Sequence, residues 1–264
     1  LLPEHHPEWF SLPSVLSYRR WIKQVANLAD FVICNSRNTK EVLMEHFHGR
    51  FGLSEQALRC MAIPLGWDIR ATEFTKGLPN FLTDLIGTIN QRTSVLIVGT
   101  LEPRKGHDQL LSAFEVLWQR GRECNLIVVG RAGWKTEALQ RRLKFHPHNG
   151  NMLYWFDNAS DEALEQLYRA CDGVVVASKG EGFGLPLIEA LGHGKPVLAR
   201  DLPIFRELGL EGVQYFSGAS VDQLAEDLDA WVANLEAGQV IIGELPKYTW
   251  QESYRAFMSA CNLN

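Results

Sequence analysis

Residues 178–189 read SKGEGFGLPLIE and hold the side chains best placed to do chemistry. Glu181 lies in a glycine-rich turn, and Glu189 follows eight positions later in the helix that the turn feeds. Gly182 and Gly184 let the backbone approach a ligand without a side chain in the way. Leu185-Pro186 opens the helix, because a proline in the first turn lacks only an N–H that would be unpaired there anyway. The free amides and partial positive charge of that helix end favour an anion. Both carboxylates can therefore border one pocket that also seats a negative group.

A second segment, residues 99–106 (GTLEPRKG), sets two adjacent cations, Arg104 and Lys105, in a loop bounded by glycine and proline. A diphosphate leaving group needs such a loop, because charge develops on it as its bond breaks and fixed cations stabilise that charge. Taken alone, an Arg-Lys pair in a turn is a solvated face. Beside the glutamate segment, the phosphate reading takes precedence.

These loops need elements to hold them. From about residue 90, short β-branched runs alternate with helix-period stretches. The strands fall at 94–99, 125–130, 152–156, 173–178, 196–200 and 213–216. The helices fall near 107–120, 135–146, 161–171, 185–192 and 203–208. Near-continuous apolar strands are buried on both faces, and strand–helix alternation gives a parallel sheet with right-handed crossovers. The fold class is α/β, one doubly wound Rossmann-like sheet with both loops at its carboxyl edge. Ser220 with Gln223, and Thr249 with Glu252, stand at capping-box spacing for two further helices. The second of these carries Trp250, Tyr254, Phe257 and Met258 roughly on one face, which should pack on something.

Residues 1–80 differ. A helix near 14–29, a strand at 30–35, a helix started by Asn38 and Glu41, and a strand at 59–66 are too little to close a core of their own. They read as part of a second α/β domain, with 68–90 as a linker. The domain reading is thus 1–80 for the partial domain and linker start, 91–248 for the main domain, and 249–264 for a helix packing back.

The segment 178–189 closely resembles the signature of the family 4 retaining glycosyltransferases, in which two glutamates bracket a Gly-Phe-Gly turn. The loop 99–106 is similar to that family's phosphate loop. The similarity continues through SDEALEQLYRACDGVVVAS, GHGKPVLARDLPIFRE and YTWQES, over roughly residues 91–255. Residues 1–80 resemble the last part of the family's acceptor domain. GTLEPRKG and ARDLPIFRE are most like bacterial polysaccharide and O-antigen mannosyltransferases.

The resemblance implies a GT-B enzyme moving a hexose from a nucleotide sugar, GDP-mannose above others, to a glycan or lipid-linked glycan with retention. Glu181 would contact the donor sugar. The backbone of Gly182, Phe183, Gly184 and Leu185 would hold sugar hydroxyls and phosphate, and Glu189 would grip the ribose. Lys105 would bind the diphosphate next to Gly99. Many members carry a second phosphate-binding arginine where this chain has Thr100, so that function would pass to Arg104. The base would sit near residues 155–158, with Trp155 as its neighbour or as core. The leaving phosphate would help deprotonate the acceptor hydroxyl in a front-face reaction. The family's acceptor-side histidine would precede residue 1, with much of the facing N-terminal domain. Alternatives are a nucleotide-sugar epimerase of the same architecture and a non-catalytic donor-binding module.

Composition sets limits. A formal charge of −5 over 264 residues argues against a nucleic-acid binder. Five scattered cysteines read as small buried side chains in a reducing, cytoplasmic setting. Arg19-Arg20-Trp21-Lys23 would serve as a peripheral contact at the inner membrane face or simply as an exposed helix face. Asp227-Leu228-Asp229 spells a metal-binding D-x-D, but inside a helix, so neither a metal nor a cofactor is expected. His46 with His48, and His146 with His148, read as solvated histidines.

Overall fold

The structure, a computed structural model, describes residues 1–55, 57–66, 77, 82–243 and 248–261. In chain order the N-terminal part contains α1 (Leu2–His5), α2 (Leu12–Leu28), β1 (Phe31–Cys34), α3 (Arg37–Phe51) and β2 (Arg59–Ala62). Helix α4 (Leu82–Ile89) leads into β3 (Ser94–Val98), α5 (His107–Gln119), β4 (Asn125–Val129), α6 (Glu137–Lys144), β5 (Leu153–Phe156) and α7 (Asp161–Ala170). Then come β6 (Gly173–Val176), α8 (Leu185–Gly192), β7 (Val197–Arg200), α9 (Pro203–Glu207), β8 (Val213–Phe216), α10 (Val221–Glu236) and α11 (Trp250–Ala260).

The main sheet is parallel throughout, in the order β5-β4-β3-β6-β7-β8. The chain winds outward from β3 to β5, returns to lay β6 against β3, and winds the other way. The helices that follow β3 and β6, α5 and α8, therefore lie on opposite faces of the sheet, and the switch point between the two strands marks a crevice at their carboxyl ends. The β-branched runs of β4, β6 and β7 are buried along their whole length. Their alternate side chains enter two layers. Val95, Val128, Val175 and Leu198 face α5 and α10, whereas Leu96, Ile127, Val174 and Val197 face α7 and α8. Each such side chain contributes roughly 1.5–3 kcal/mol on burial.

The N-terminal part forms a second, two-stranded parallel sheet, β1-β2. Contrary to the expectation that it closes no core, Ile22, Ala26, Cys34, Leu43, Phe47 and Leu58 make a small cluster beneath it. Ser36, not Asn38, caps α3, with its Oγ accepting from the Thr39 N–H at 3.0 Å. The segment 68–90, read as linker, contains α4; its residues 68–76 and 78–81 lie outside the described residues.

Thr249 and Glu252 form the capping box anticipated for α11, but the packing face is reversed. Trp250, Tyr254 and Phe257 are exposed, while Ser253 and Ala260 are buried. The Ser253 hydroxyl donates to the Pro64 carbonyl at 2.8 Å, so the small side chains make the close approach. At Ser220 only half of the box forms, because the Gln223 side chain turns to Asp227 instead. Among the described residues no helix is long and apolar enough to cross a membrane.

Candidate active site

The loop after β3 is docked onto the loop after β6. Gly106 has φ +75°, and a Cβ on it would lie 2.2 Å from the Ala177 carbonyl oxygen. The Lys179 N–H donates to the Arg104 carbonyl at 2.7 Å, a backbone tie between the loops. Pro103 starts a 3-10 turn, Pro103–Lys105, that aims Arg104 and Lys105 across the crevice. There the Lys105 ammonium lies 2.5 Å from Glu181 Oε1, and Arg104 Nη1 lies 3.2 Å from Glu181 Oε2. The Ser178 hydroxyl donates to the same Oε1 at 2.7 Å. Arg104 also contacts the Glu102 carboxylate at 2.8 Å. The Lys105 and Glu181 side chains are 12% and 9% exposed, so water screens their attraction little.

Gly184 precedes α8 with φ +104° in a turn packed against the Phe205 ring, and among the described residues no side chain caps that end of the helix. Phe183 is buried beside it, while Leu185 stays exposed. Farther along α8, burial raises the Glu189 carboxyl pKa from its ordinary value, against the opposing pull of the Tyr168 hydrogen bond and the Lys105 charge. Lys105 thus acts electrostatically on both glutamates of the signature. Gly99 lies under the Lys105 side chain, at 3.6 Å from Cδ to the position of an added Cβ.

Thr100 and Trp155 stand apart from this cluster. The Thr100 methyl faces Gly133. Trp155 is on the edge strand β5; its indole N–H donates to the Gly130 carbonyl at 3.0 Å, and its ring packs on the core. Its remaining surface borders a cleft shared with Glu137, Arg141 and Asp157. Asp229 of the D-x-D pairs with Arg122, and Leu228 between the aspartates is fully buried. His146 is not solvated as expected: it lies against Trp118 and 3.3 Å from Glu115. Arg20, Trp21 and Lys23 are exposed on α2, and Arg19 pairs with Glu4.

Several contacts escaped sequence reasoning. The N-terminal part touches the signature turn directly: Thr39 Oγ1 donates to the Gly182 carbonyl at 3.2 Å, and Ser36 Oγ lies 3.1 Å from it. The Glu207 carboxylate of α9 accepts the Arg37 and Asn38 N–H groups at 2.7 Å each, capping α3 from the other domain. Trp134 and Lys135 donate to the carbonyls of Glu8, Trp9 and Phe10. Such long-range pairings leave no mark in local sequence. Ser178 and Tyr168 did have one, since both sit in the quoted segments, but nothing local says which way they point.

A cation pair and two carboxylates thus stand at the switch point of a doubly wound sheet. The profile of the family described as "Glycosyl transferases group 1" matches residues 86–244. The chain is a member of this family. Among curated relatives, it is 36% identical over 256 residues to the serotype-specific mannosyltransferase WbdA of Escherichia coli, a match covering 96% of this chain. The match takes in 31% of WbdA, so this group 1 chain spans less than a third of that relative. A D-inositol 3-phosphate glycosyltransferase of Corynebacterium jeikeium is 28% identical over 257 residues, covering 89% of this chain and 57% of that protein. Among solved structures, sucrose-phosphate synthase from Thermosynechococcus elongatus matches with TM-score 0.67 at 22% identity, covering 95% of this chain and 62% of that one. These likenesses show the GT-B type of α/β fold.

Proposed function

We propose that this group 1 chain carries the donor site of a retaining hexosyltransferase that takes mannose from GDP-mannose and passes it to a glycan or lipid-linked glycan. The observation that carries the reading is the Lys105–Glu181–Arg104 cluster at the crevice, with Glu181 in the same turn that leads into α8, whose start has no side-chain cap among the described residues. Two cations and a helix N-terminus suit the diphosphate, whose negative charge grows as the glycosidic bond breaks. Glu181 orients the sugar, and Glu189 holds the ribose. The similarity to a mannosyltransferase favours mannose.

In the ligand-free site Glu181 supplies the negative charge that Lys105 and Arg104 would otherwise take from phosphate. Donor binding is therefore an exchange: the diphosphate takes over the cations, and Glu181 is released toward the sugar hydroxyls. No metal is required for this, since the fixed cations supply the positive charge.

A thermal-shift screen with GDP, UDP, ADP and their sugars tests the reading. A ligand held at a hundred times its dissociation constant stabilises a protein by about 2.7 kcal/mol. GDP and GDP-mannose should give the largest shifts. A preference for UDP or ADP would reassign the donor, and no shift with any nucleotide would overturn the site.

A further inference from the structure

Tyr168 lies on α7 and is 1% exposed, in the apolar layer that α7 and α8 share. Its hydroxyl reaches Glu189 Oε2 at 3.3 Å. Its ring stacks on His193, the residue just after α8, with centroids 4.4 Å apart and planes 10° from parallel. One side chain thus grips both α8 and the residue that ends it. The rim of the donor site is fixed by a group no ligand needs to touch.

We propose that Tyr168 is a positioning residue: its hydroxyl occupies one oxygen of Glu189 so that the other is presented to the ribose hydroxyls of a bound nucleotide. This rests on the donor-site reading above and adds the element that sets discrimination between ribose and deoxyribose forms.

The direction of the bond follows from burial. A phenol in an apolar layer holds its proton, and burial lifts the Tyr168 pKa well above its ordinary value. Tyr168 therefore donates and the Glu189 carboxylate accepts. A carboxylate oxygen can accept from two directions, and a charge-assisted bond holds the group in one rotamer. Among the described residues the Glu189 carboxylate makes no other side-chain hydrogen bond. Without the phenol, the half-buried carboxylate would lose its fixed partner and be free to turn. The lost bond would show as a weaker grip on the ribose hydroxyls, not as a weaker grip on phosphate.

Tyr168→Phe keeps the ring and its stack on His193 and removes only the hydroxyl. In the first arm, carbon-13 labelled glutamate in the ligand-free chain is titrated by NMR, with Glu189→Gln assigning the Glu189 signal. Loss of the phenol should move the Glu189 midpoint to higher pH, because the neutral acid needs that bond less than the anion does. An unchanged midpoint overturns the proposal.

In the second arm, calorimetry compares GDP with 2′,3′-dideoxy-GDP on wild type, Tyr168→Phe, Glu189→Gln and the double variant. Wild type should favour the ribose form by about ten- to a hundredfold, and Tyr168→Phe should remove most of that factor while leaving the dideoxy affinity unchanged. In the Glu189→Gln background Tyr168→Phe should change nothing further. Equal weakening of both ligands by Tyr168→Phe would show that Tyr168 acts through packing and would overturn the proposal. If GDP and UDP both fail to bind wild type, the donor reading falls and the ribose role falls with it. Binding with discrimination unaltered by Tyr168→Phe overturns this inference alone.

Discussion

The Lys105 ammonium and the Glu181 carboxylate meet 2.5 Å apart across the line where the sheet reverses its winding. Lys105 comes from the loop after β3 and Glu181 from the loop after β6, 76 positions apart in sequence. Their meeting is a product of strand order. It brings two cations, Lys105 and Arg104, and the Glu181 carboxylate together at one crevice.

Removing the cation should separate phosphate recognition from everything else. Lys105→Ala should weaken nucleoside diphosphate binding far more than nucleoside binding. The loss of one charge-stabilising group should cost about 3 kcal/mol, roughly a hundredfold in rate for the whole enzyme. Calorimetry with GDP and guanosine checks it, and an equal loss for both ligands would make Lys105 a structural residue.

Removing the carboxylate charge should act in opposite directions on the two parts of the donor. Glu181→Gln leaves Lys105 and Arg104 without their internal counter-charge, so GDP should bind severalfold tighter. The extra affinity of GDP-mannose over GDP should fall, because the sugar loses its charged acceptor. Dissociation constants for both ligands on both proteins report this directly. Weaker GDP binding would mean that Glu181 holds the cations in place instead of competing for them.

Gly106 should not tolerate a side chain. Its φ of +75° and the Ala177 carbonyl oxygen, 2.2 Å from an added Cβ, both oppose it. Gly106→Ala should lower unfolding free energy by about 2–4 kcal/mol and misplace both loops. Denaturant titration measures the first effect, and loss of the GDP-induced thermal shift the second.

Stability should fall on the acid side through His107. This residue opens α5 fully inside the fold, and neither of its ring nitrogens has a hydrogen-bond partner among the described residues. Burial, helped by the nearby Lys105 charge, pushes its pKa down to about 3 from 6.5. Between those values the unfolded chain binds a proton that the folded chain refuses, so stability is full above pH 6.5 and is lost as pH falls toward 3. At pH 5 the cost should be about 2 kcal/mol. A His107→Leu variant should show a flatter acid limb in melting temperature against pH. Parallel limbs would show that other groups carry the acid sensitivity.

The sequence made the six main strands legible because each is an apolar run that a polar turn interrupts, and a sheet buried on both faces demands such runs. The two signature loops were legible for a related reason: glycine, proline and charge cluster where a backbone must turn tightly at a strand end. What stayed hidden depends on distance. Nothing near Glu207 announces that it caps α3, and nothing near Tyr168 announces that its hydroxyl meets Glu189. Aromatic spacing on α11 marks amphipathicity, whereas the contact is made by Ser253 and Ala260, whose small size permits close packing. The spacing of His146 and His148 suggests solvated side chains, and only the fold brings Trp118 against them.

The most direct test of the donor site is calorimetric titration of GDP-mannose into the wild-type chain and into Lys105→Ala, both in EDTA. Wild type should bind one-to-one without added metal, and Lys105→Ala should bind about a hundredfold more weakly. Metal-dependent binding, or equal affinity in the two proteins, would contradict a diphosphate site built on Lys105, Arg104 and the start of α8.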